Sequence, residues 1–173
     1  LGSVDILVCN AASGVLRPIV ELNTNAWDWT MGINARSVLV LAQAVLPYMR
    51  AQGWGRILTI SSIGSRRVYP NYASVGVSKA ALEALTRYLA TEDAAYEVIC
   101  NAICPGIVLT GARDHFRDKD RMIEHALETT PAGRLCTPED VGALAAFLCS
   151  DAAAFIVGQT IEIDGGYGLI AGA

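Results

Sequence analysis

Apolar residues fall into short continuous runs separated by long stretches of helical spacing, and the two kinds alternate along the chain. Residues 4–9 (VDILVC) form an apolar, β-branched run that stops at Asn10-Ala11-Ala12-Ser13-Gly14, the pattern of a buried strand leaving into a loop. Helical periodicity then holds over 25–52 and is closed by Gly53 and Gly55. Residues 56–61 (RILTIS) predict the next strand, and the Ala/Leu-rich stretch 71–92 a long helix. A third strand over 97–103 (EVICNAI) is broken by Cys104-Pro105-Gly106. After a polar, highly charged stretch over 111–130, Thr137-Pro138-Glu139-Asp140 opens a helix running to Ser150. It has a threonine cap, proline at the first position and acids in the first turn. Residues 158–163 (GQTIEI) predict the last strand, followed by Asp164-Gly165-Gly166. Strands alternating with helices, and strands apolar on both faces, predict a doubly wound α/β domain with a parallel sheet.

Composition narrows this picture rather than changing it. The 173 residues suit one domain, with 53% of them apolar and 17% charged. No apolar run has the length a membrane span needs. A net charge of -4 argues against nucleic acid, whose phosphates call for a basic patch. The cysteines at 9, 100, 104, 136 and 149 form no CxxC pair, and the reading is of buried, reduced thiols in a cytoplasmic protein. His115 and His125 have no partner at metal-ligand spacing and read as surface residues, so no metal site is expected. The chain opens at Leu1 without a methionine or a signal-peptide pattern, which reads as a start in the middle of a fold.

Chemistry concentrates at Ser62, Tyr72 and Lys79. Tyr72 and Lys79 lie seven apart; at roughly 100° per residue, seven steps return to nearly the same helix face, about 10 Å further along. A phenol is a poor acid at neutral pH, and an ammonium beside it is expected to favour the phenolate and suit proton donation to a developing oxyanion. Ser62, at a strand end, either adds a second hydrogen bond to that oxygen or simply ends the strand.

At these positions the chain resembles the short-chain dehydrogenase/reductase superfamily. Residues 4–10 followed by Ala11-Ala12-Ser13 look like its NNAG segment, with Cys9 replacing the first asparagine. Asn34 (GINARS) matches the helix asparagine of its catalytic tetrad, and Ser61-Ser62 its strand-end serine. Asn101 to Gly106, with Thr110 after it, matches the PG motif beside the nicotinamide. Gly133-Arg134, Pro138 to Val141, Gly158-Gln159 and Asp164-Gly165-Gly166 match the C-terminal signature. One departure is informative. Most members have Tyr-x3-Lys, but the residue four before Lys79 is Val75, and Ser62 still lies 17 before Lys79, so nothing has been inserted. Tyr-x6-Lys is the spacing of the enoyl-acyl-carrier-protein reductases. The stretches CNAASGVLRPIVEL, WDWTMGINA, NYASVGVSKAALEALTRYLA and TPAGR resemble most closely their third bacterial, NADPH-dependent type.

The resemblance implies a Rossmann-like fold and reduction of the trans-2 double bond of an enoyl thioester on acyl carrier protein by NADPH, with NADH not excluded. Tyr72 would act on the thioester oxygen, with Ser62 beside it; Lys79 would hold the nicotinamide ribose, and Asn34 would position Lys79 through backbone and water contacts. Pro105, Gly106, Ile107 and Thr110 would line the carboxamide site, and Asn10, Ala11, Ala12 and Ser61 the cofactor's ribose side. Tyr69 and Ser13 are candidates for the acyl pocket, although Tyr69 also reads as a loop tyrosine. Trp27 and Trp29 read as helix packing, Arg66 and Arg67 as a solvated turn or else a contact for an acidic carrier protein or cofactor phosphate, and 111–130 as either a mobile substrate lid or merely an exposed segment. The superfamily's Gly-rich phosphate loop has no match in these residues. The expectation is therefore a partial Rossmann-like domain over 1–173, the C-terminal two-thirds of a parent with two or more strands before Leu1. Its first strand would be left as an uncovered apolar edge, and the isolated piece would bind cofactor poorly and be inactive. The resemblance also implies a homotetramer through the two long helices and the last strand. Two other readings compete: a carbonyl or hydroxyl oxidoreductase of the same superfamily, acting on 3-oxoacyl thioesters or hydroxysteroids, and a non-enzymatic scaffold.

Overall fold

A computed structural model of the chain describes residues 2–108 and 119–170. Four strands, β1 (Ile6–Cys9), β2 (Gly55–Ile60), β3 (Val98–Pro105) and β4 (Thr160–Ile163), form one sheet in the order β1-β2-β3-β4. Every neighbouring pair is parallel. The register places Leu7 beside Ile57 and Ile57 beside Cys100, while Cys104 pairs with Glu162. This is the doubly wound Rossmann-like α/β fold that the alternation predicts.

Two core clusters show why the central strands are apolar on both faces. On one face, Ile57, Val98 and Cys100 pack against Val38, Ala42, Leu46 and Met49 of α2 (Ser37–Gln52) and Leu82 and Leu89 of α3 (Ala73–Asp93). On the other, Leu58 and Ile103 pack against Leu148 of α5 (Pro138–Leu148). A third cluster lies beyond the strand ends, where Ile63, Cys104, Leu135 and Tyr167 meet Ala126 of α4 (Lys119–Thr129). Strand β1 lies at the sheet edge, with Ile6 and Val8 close to half exposed.

The expected helix over 25–52 is two helices, α1 (Thr24–Met31) and α2, joined by a π-helical turn at Gly32–Arg36. Periodicity does not register one extra residue in a turn, and such bulges cluster where a side chain must be re-aimed. Asn34 sits inside this one. Strand β3 runs two residues past its expected break, because Pro105 pairs with Ile163 and the Gly106 N–H carries the ladder on to the Ile163 carbonyl at 3.0 Å. Helix α5 has the predicted capping box: the Thr137 hydroxyl accepts from the Asp140 N–H, and the Asp140 carboxylate accepts from the Thr137 N–H. It stops at Leu148, short of Ser150, and β4 starts after Gly158, whose φ of +69° is left-handed.

All five cysteines are unpaired thiols; four are buried and Cys149 is half-buried. Burial pushes Cys100 and Cys104 up to about 12, so these thiols are inert cores rather than nucleophiles. Of the two histidines, His125 is exposed as expected, and His115 lies outside the described residues. Among the described residues no helix is long and apolar enough to cross a membrane, and no acidic, histidine or cysteine cluster has metal-ligand geometry.

Candidate active site

The carboxyl ends of parallel strands gather at one edge of the sheet, where open α/β sheets bind ligands. Here they deliver Asn10 after β1, Ser61 and Ser62 after β2, Gly106 after β3 and Asp164 after β4. Asn10, Ala11 and Ala12 are exposed at this edge, and Ile107 is half-buried in the cluster with Cys104 and Tyr167. Gly106 approaches the turn after β4 so closely that a Cβ there would lie 2.8 Å from the Asp164 Cβ. Thr110 and residues 111–118 of the expected lid lie outside the described residues. Helix α4, within the same segment, turns Ala126 and Ile123 onto the cluster that includes Tyr69 and Tyr167.

Tyr72 and Lys79 are both brought to the end of β2. Tyr72 caps α3 with a non-helical backbone (φ −98°, ψ 10°), and its hydroxyl lies 3.4 Å from the Ser62 Oγ. Lys79, 5% exposed, donates from Nζ to the Ile60 carbonyl at 2.7 Å. Burial raises the phenol of Tyr72 above its ordinary value, the Ser62 hydroxyl opposes that rise, and Cys104 adds to it. The net shift is thus upward, against the lowering expected from an ammonium beside the phenol. Burial also depresses Lys79 itself, to about 8, against a smaller opposing pull from Cys9. At the strand end, the Ser62 Oγ faces Tyr72 and also accepts the Gly64 N–H at 3.2 Å, capping the turn Ile63–Ser65.

Asn34, 1% exposed, commits its side chain to Ser13 and Ser78. Its Oδ1 accepts from the Ser13 N–H at 2.9 Å, while Nδ2 donates to the Ser13 carbonyl and the Ser78 Oγ, both at 2.8 Å. It thereby ties the loop after β1 to the residue preceding Lys79. Ser13 is thus a held loop residue, and its hydroxyl accepts the Trp29 indole N–H at 3.2 Å. Trp29 is 60% exposed and does not pack inside a helix interface as expected, whereas Trp27 is partly buried. Tyr69 meets Tyr72 edge-on at 6.1 Å, and burial together with a bond to Tyr167 raises its phenol.

Arg66 and Arg67 lie in a turn, with Arg66 exposed as expected, but both side chains are engaged. Arg66 pairs with Glu162 at 2.5 Å and Glu83 at 3.7 Å; Arg67 donates to the Gly168 and Ile170 carbonyls and lies over the Tyr167 ring. The acids that Arg66 meets and the carbonyls that Arg67 reaches lie far along the chain, so spacing carries no sign of the pairing. Glu83 was likewise missed, although it lies one helical turn beyond Lys79.

The family model described as Enoyl-(Acyl carrier protein) reductase matches residues 1–168. The chain belongs to the short-chain dehydrogenase/reductase superfamily. It is 36% identical over 172 residues to the 1-cyclohexenylcarbonyl-CoA reductase of Streptomyces collinus, covering 98% of this chain and 61% of that one. Among solved structures it is similar to the enoyl-[acyl-carrier-protein] reductase (NADH) of Aquifex aeolicus, with a TM-score of 0.90 and 35% identity, covering 99% of this chain and 68% of that one. It is also similar to a putative NAD(P)-dependent gluconate 5-dehydrogenase from Beutenbergia cavernae with bound NADP, with a TM-score of 0.90 and 38% identity over 96% of this chain and 67% of that one. The chain spans 60–63% of the length of the curated relatives it matches.

Proposed function

We propose that the protein is an oxidoreductase that reduces the trans-2 double bond of enoyl thioesters carried on acyl carrier protein, with NADPH as reductant. The observation that carries this reading is the place of the phenol. Tyr72 meets Ser62 from the cap of α3, while the superfamily's usual tyrosine position is filled by buried Val75. Likeness to reductases of enoyl thioesters in Streptomyces collinus and Aquifex aeolicus supports it.

The residues fit a nicotinamide and its ribose. An ammonium has three N–H donors, and Lys79 directs one to Ile60, leaving two for ribose hydroxyls. Pro105, Gly106 and Ile107, at the carboxyl end of β3, would line the carboxamide, and Asn10, Ala11, Ala12 and Ser61 the ribose side; the resemblance adds Thr110. When bound, the reduced nicotinamide supplies the electron pair and hydrogen delivered to C3 of the enoyl group. Negative charge then develops on the thioester oxygen, and Tyr72 holds its proton toward that atom. A phenol raised by burial stays protonated at neutral pH, which suits a donor. Ser62 offers a second donor to the same oxygen. Asn34 keeps Lys79 in place through Ser78 rather than through its own side chain, and Tyr69 and Ser13 border the acyl side. Five unpaired cysteines suit the cytoplasm. The exposed apolar residues of α2 and α3, Val40, Tyr48, Val77 and Tyr88, suit contact between copies in a homotetramer.

The second reading, a carbonyl or hydroxyl oxidoreductase, is favoured by the 3.4 Å approach of Ser62 to Tyr72 and by likeness to the gluconate dehydrogenase. Nicotinamide oxidation by the full-length protein with crotonyl and acetoacetyl thioesters, in wild type and Tyr72→Phe, separates the two. Faster enoyl turnover that falls roughly 100-fold or more in Tyr72→Phe supports the proposal. Preference for the ketone moves the assignment to carbonyl reduction.

A further inference from the structure

Helix α3 grips the segment that follows β2 at three successive levels. Tyr72 meets Ser62, Lys79 holds the Ile60 carbonyl, and Glu83, one turn further along the same face, holds the hydroxyls on either side of Ser62. Glu83 is 5% exposed. Its Oε1 accepts from the Ser61 Oγ at 2.5 Å and from the Ser65 Oγ at 2.6 Å. Its Oε2 faces the Arg66 Nε at 3.7 Å, and Arg66 is itself tied to Glu162. A buried carboxylate is costly unless hydrogen-bonded and paired, and these three partners meet that requirement. Ser65 and Arg66 are assigned to neither substrate nor cofactor, and Ser61 only to the ribose side.

We propose that Glu83 is a positioning residue of the site: by fixing Ser61 and Ser65 to one oxygen it sets the turn Ile63–Ser65 and so holds Ser62 against Tyr72. The inference rests on the reading of Tyr72 and Ser62 as the groups that meet the substrate oxygen. Between the two gripped hydroxyls lie only residues 62–64. Ser62 spends its own oxygen on the Gly64 N–H inside that span, so it cannot choose its distance to Tyr72 independently of the turn. Hydrogen bonds to an ionised acceptor are shorter and stronger than neutral ones, which makes a carboxylate the right clamp for two hydroxyls. The effect runs through geometry and not through charge on Lys79, which burial and Cys9 shift.

The test uses the full-length protein and crotonyl thioester. Glu83→Leu should lower kcat roughly 10- to 100-fold, since small displacements of catalytic groups carry penalties of that size. KM for the nicotinamide cofactor should stay within about threefold, because the ribose-facing lysine keeps its own anchor. Glu83→Gln retains an oxygen able to accept both hydroxyls and should restore kcat to within about fivefold of wild type. In a Ser62→Ala background, Glu83→Leu should cost no more than about twofold further, the non-additivity of residues acting through one another. A merely structural role predicts the same loss in both backgrounds, and that result overturns the proposal. So does a Glu83→Leu protein with wild-type kcat, a Glu83→Gln protein as slow as Glu83→Leu, or a Ser62→Ala protein with wild-type kcat. If Glu83→Leu does not fold, Ser65→Ala carries the same comparison with a smaller cavity, and its full activity counts against the proposal. Should Tyr72→Phe keep full turnover, the catalytic reading itself fails; should Tyr72→Phe be inactive while the Glu83 variants run normally, only the role of Glu83 fails.

Discussion

Lys79 illustrates how one buried side chain links burial to pH. Its folded value, depressed to about 8, lies below the roughly 10.4 of a solvated lysine. The ammonium is therefore present below pH 8 and is lost as pH rises through that value. If the charged form orients the ribose, kcat/KM for the cofactor should fall above about pH 8. The opposite sign applies to stability. Between pH 8 and about 10.4 the unfolded chain binds more protons at this site than the folded one, so the contribution of Lys79 to stability grows as pH rises through that window. A kcat/KM profile flat from pH 6 to about 10 would remove Lys79 from cofactor binding. The spacing of Tyr72 and Lys79 was readable along the chain, as was their arrival near Ser62. That desolvation leads the shift of each was not, because burial is a property of what packs around a residue.

Among elements, the contact between α3 and the turn Ile63–Ser65 is the closest that bears on the site. A Cβ at Gly76 would stand 2.6 Å from the Gly64 carbonyl oxygen, a backbone atom that cannot rotate away. Gly76→Ala should therefore push the turn from α3, lowering stability by about 1–3 kcal/mol. It should also widen the gap between Ser62 and Tyr72, so turnover per folded molecule should fall. Thermal unfolding and activity measured together check this, and an unchanged melting temperature with unchanged kcat would show that the turn yields freely. Helix starts with strong local chemistry, such as the Thr137–Asp140 box, were legible because their partners lie three residues apart. The π-helical turn at Gly32–Arg36 was not, since the residues that demand it, Ser13 and Ser78, come from distant parts of the chain.

Across the described residues, the surfaces that leave apolar side chains exposed include the edge strand β1 and the outer faces of α2 and α3. On α3, Tyr88 is 70% exposed, and Val40 of α2 is 56% exposed. If those helices meet between copies, the double change Val40→Glu and Tyr88→Glu should reduce the solution mass of the full-length protein, read by light scattering. A mass unchanged at micromolar concentration would place the interface elsewhere. Among the described residues no strand pairs with β1 on the side away from β2.

The alternation of apolar runs and helical stretches, together with punctuation at Gly53 and Thr137, was enough to define a parallel α/β sheet and the order of its elements, though not every strand end. Local rules suffice there, because strand burial, helix caps and turns depend on neighbours within a few residues. The same rules placed Ser62, Tyr72 and Lys79 together, since strand end, loop and helix face follow one another directly. Folding was needed to show Arg66 and Arg67 anchoring the C-terminal turn, Asn34 spending its side chain on Ser13 and Ser78, and Glu83 clamping the serines beside Ser62. Each of these joins residues tens of positions apart, and such contacts exist only once the sheet has set its register and brought its strand ends to one edge.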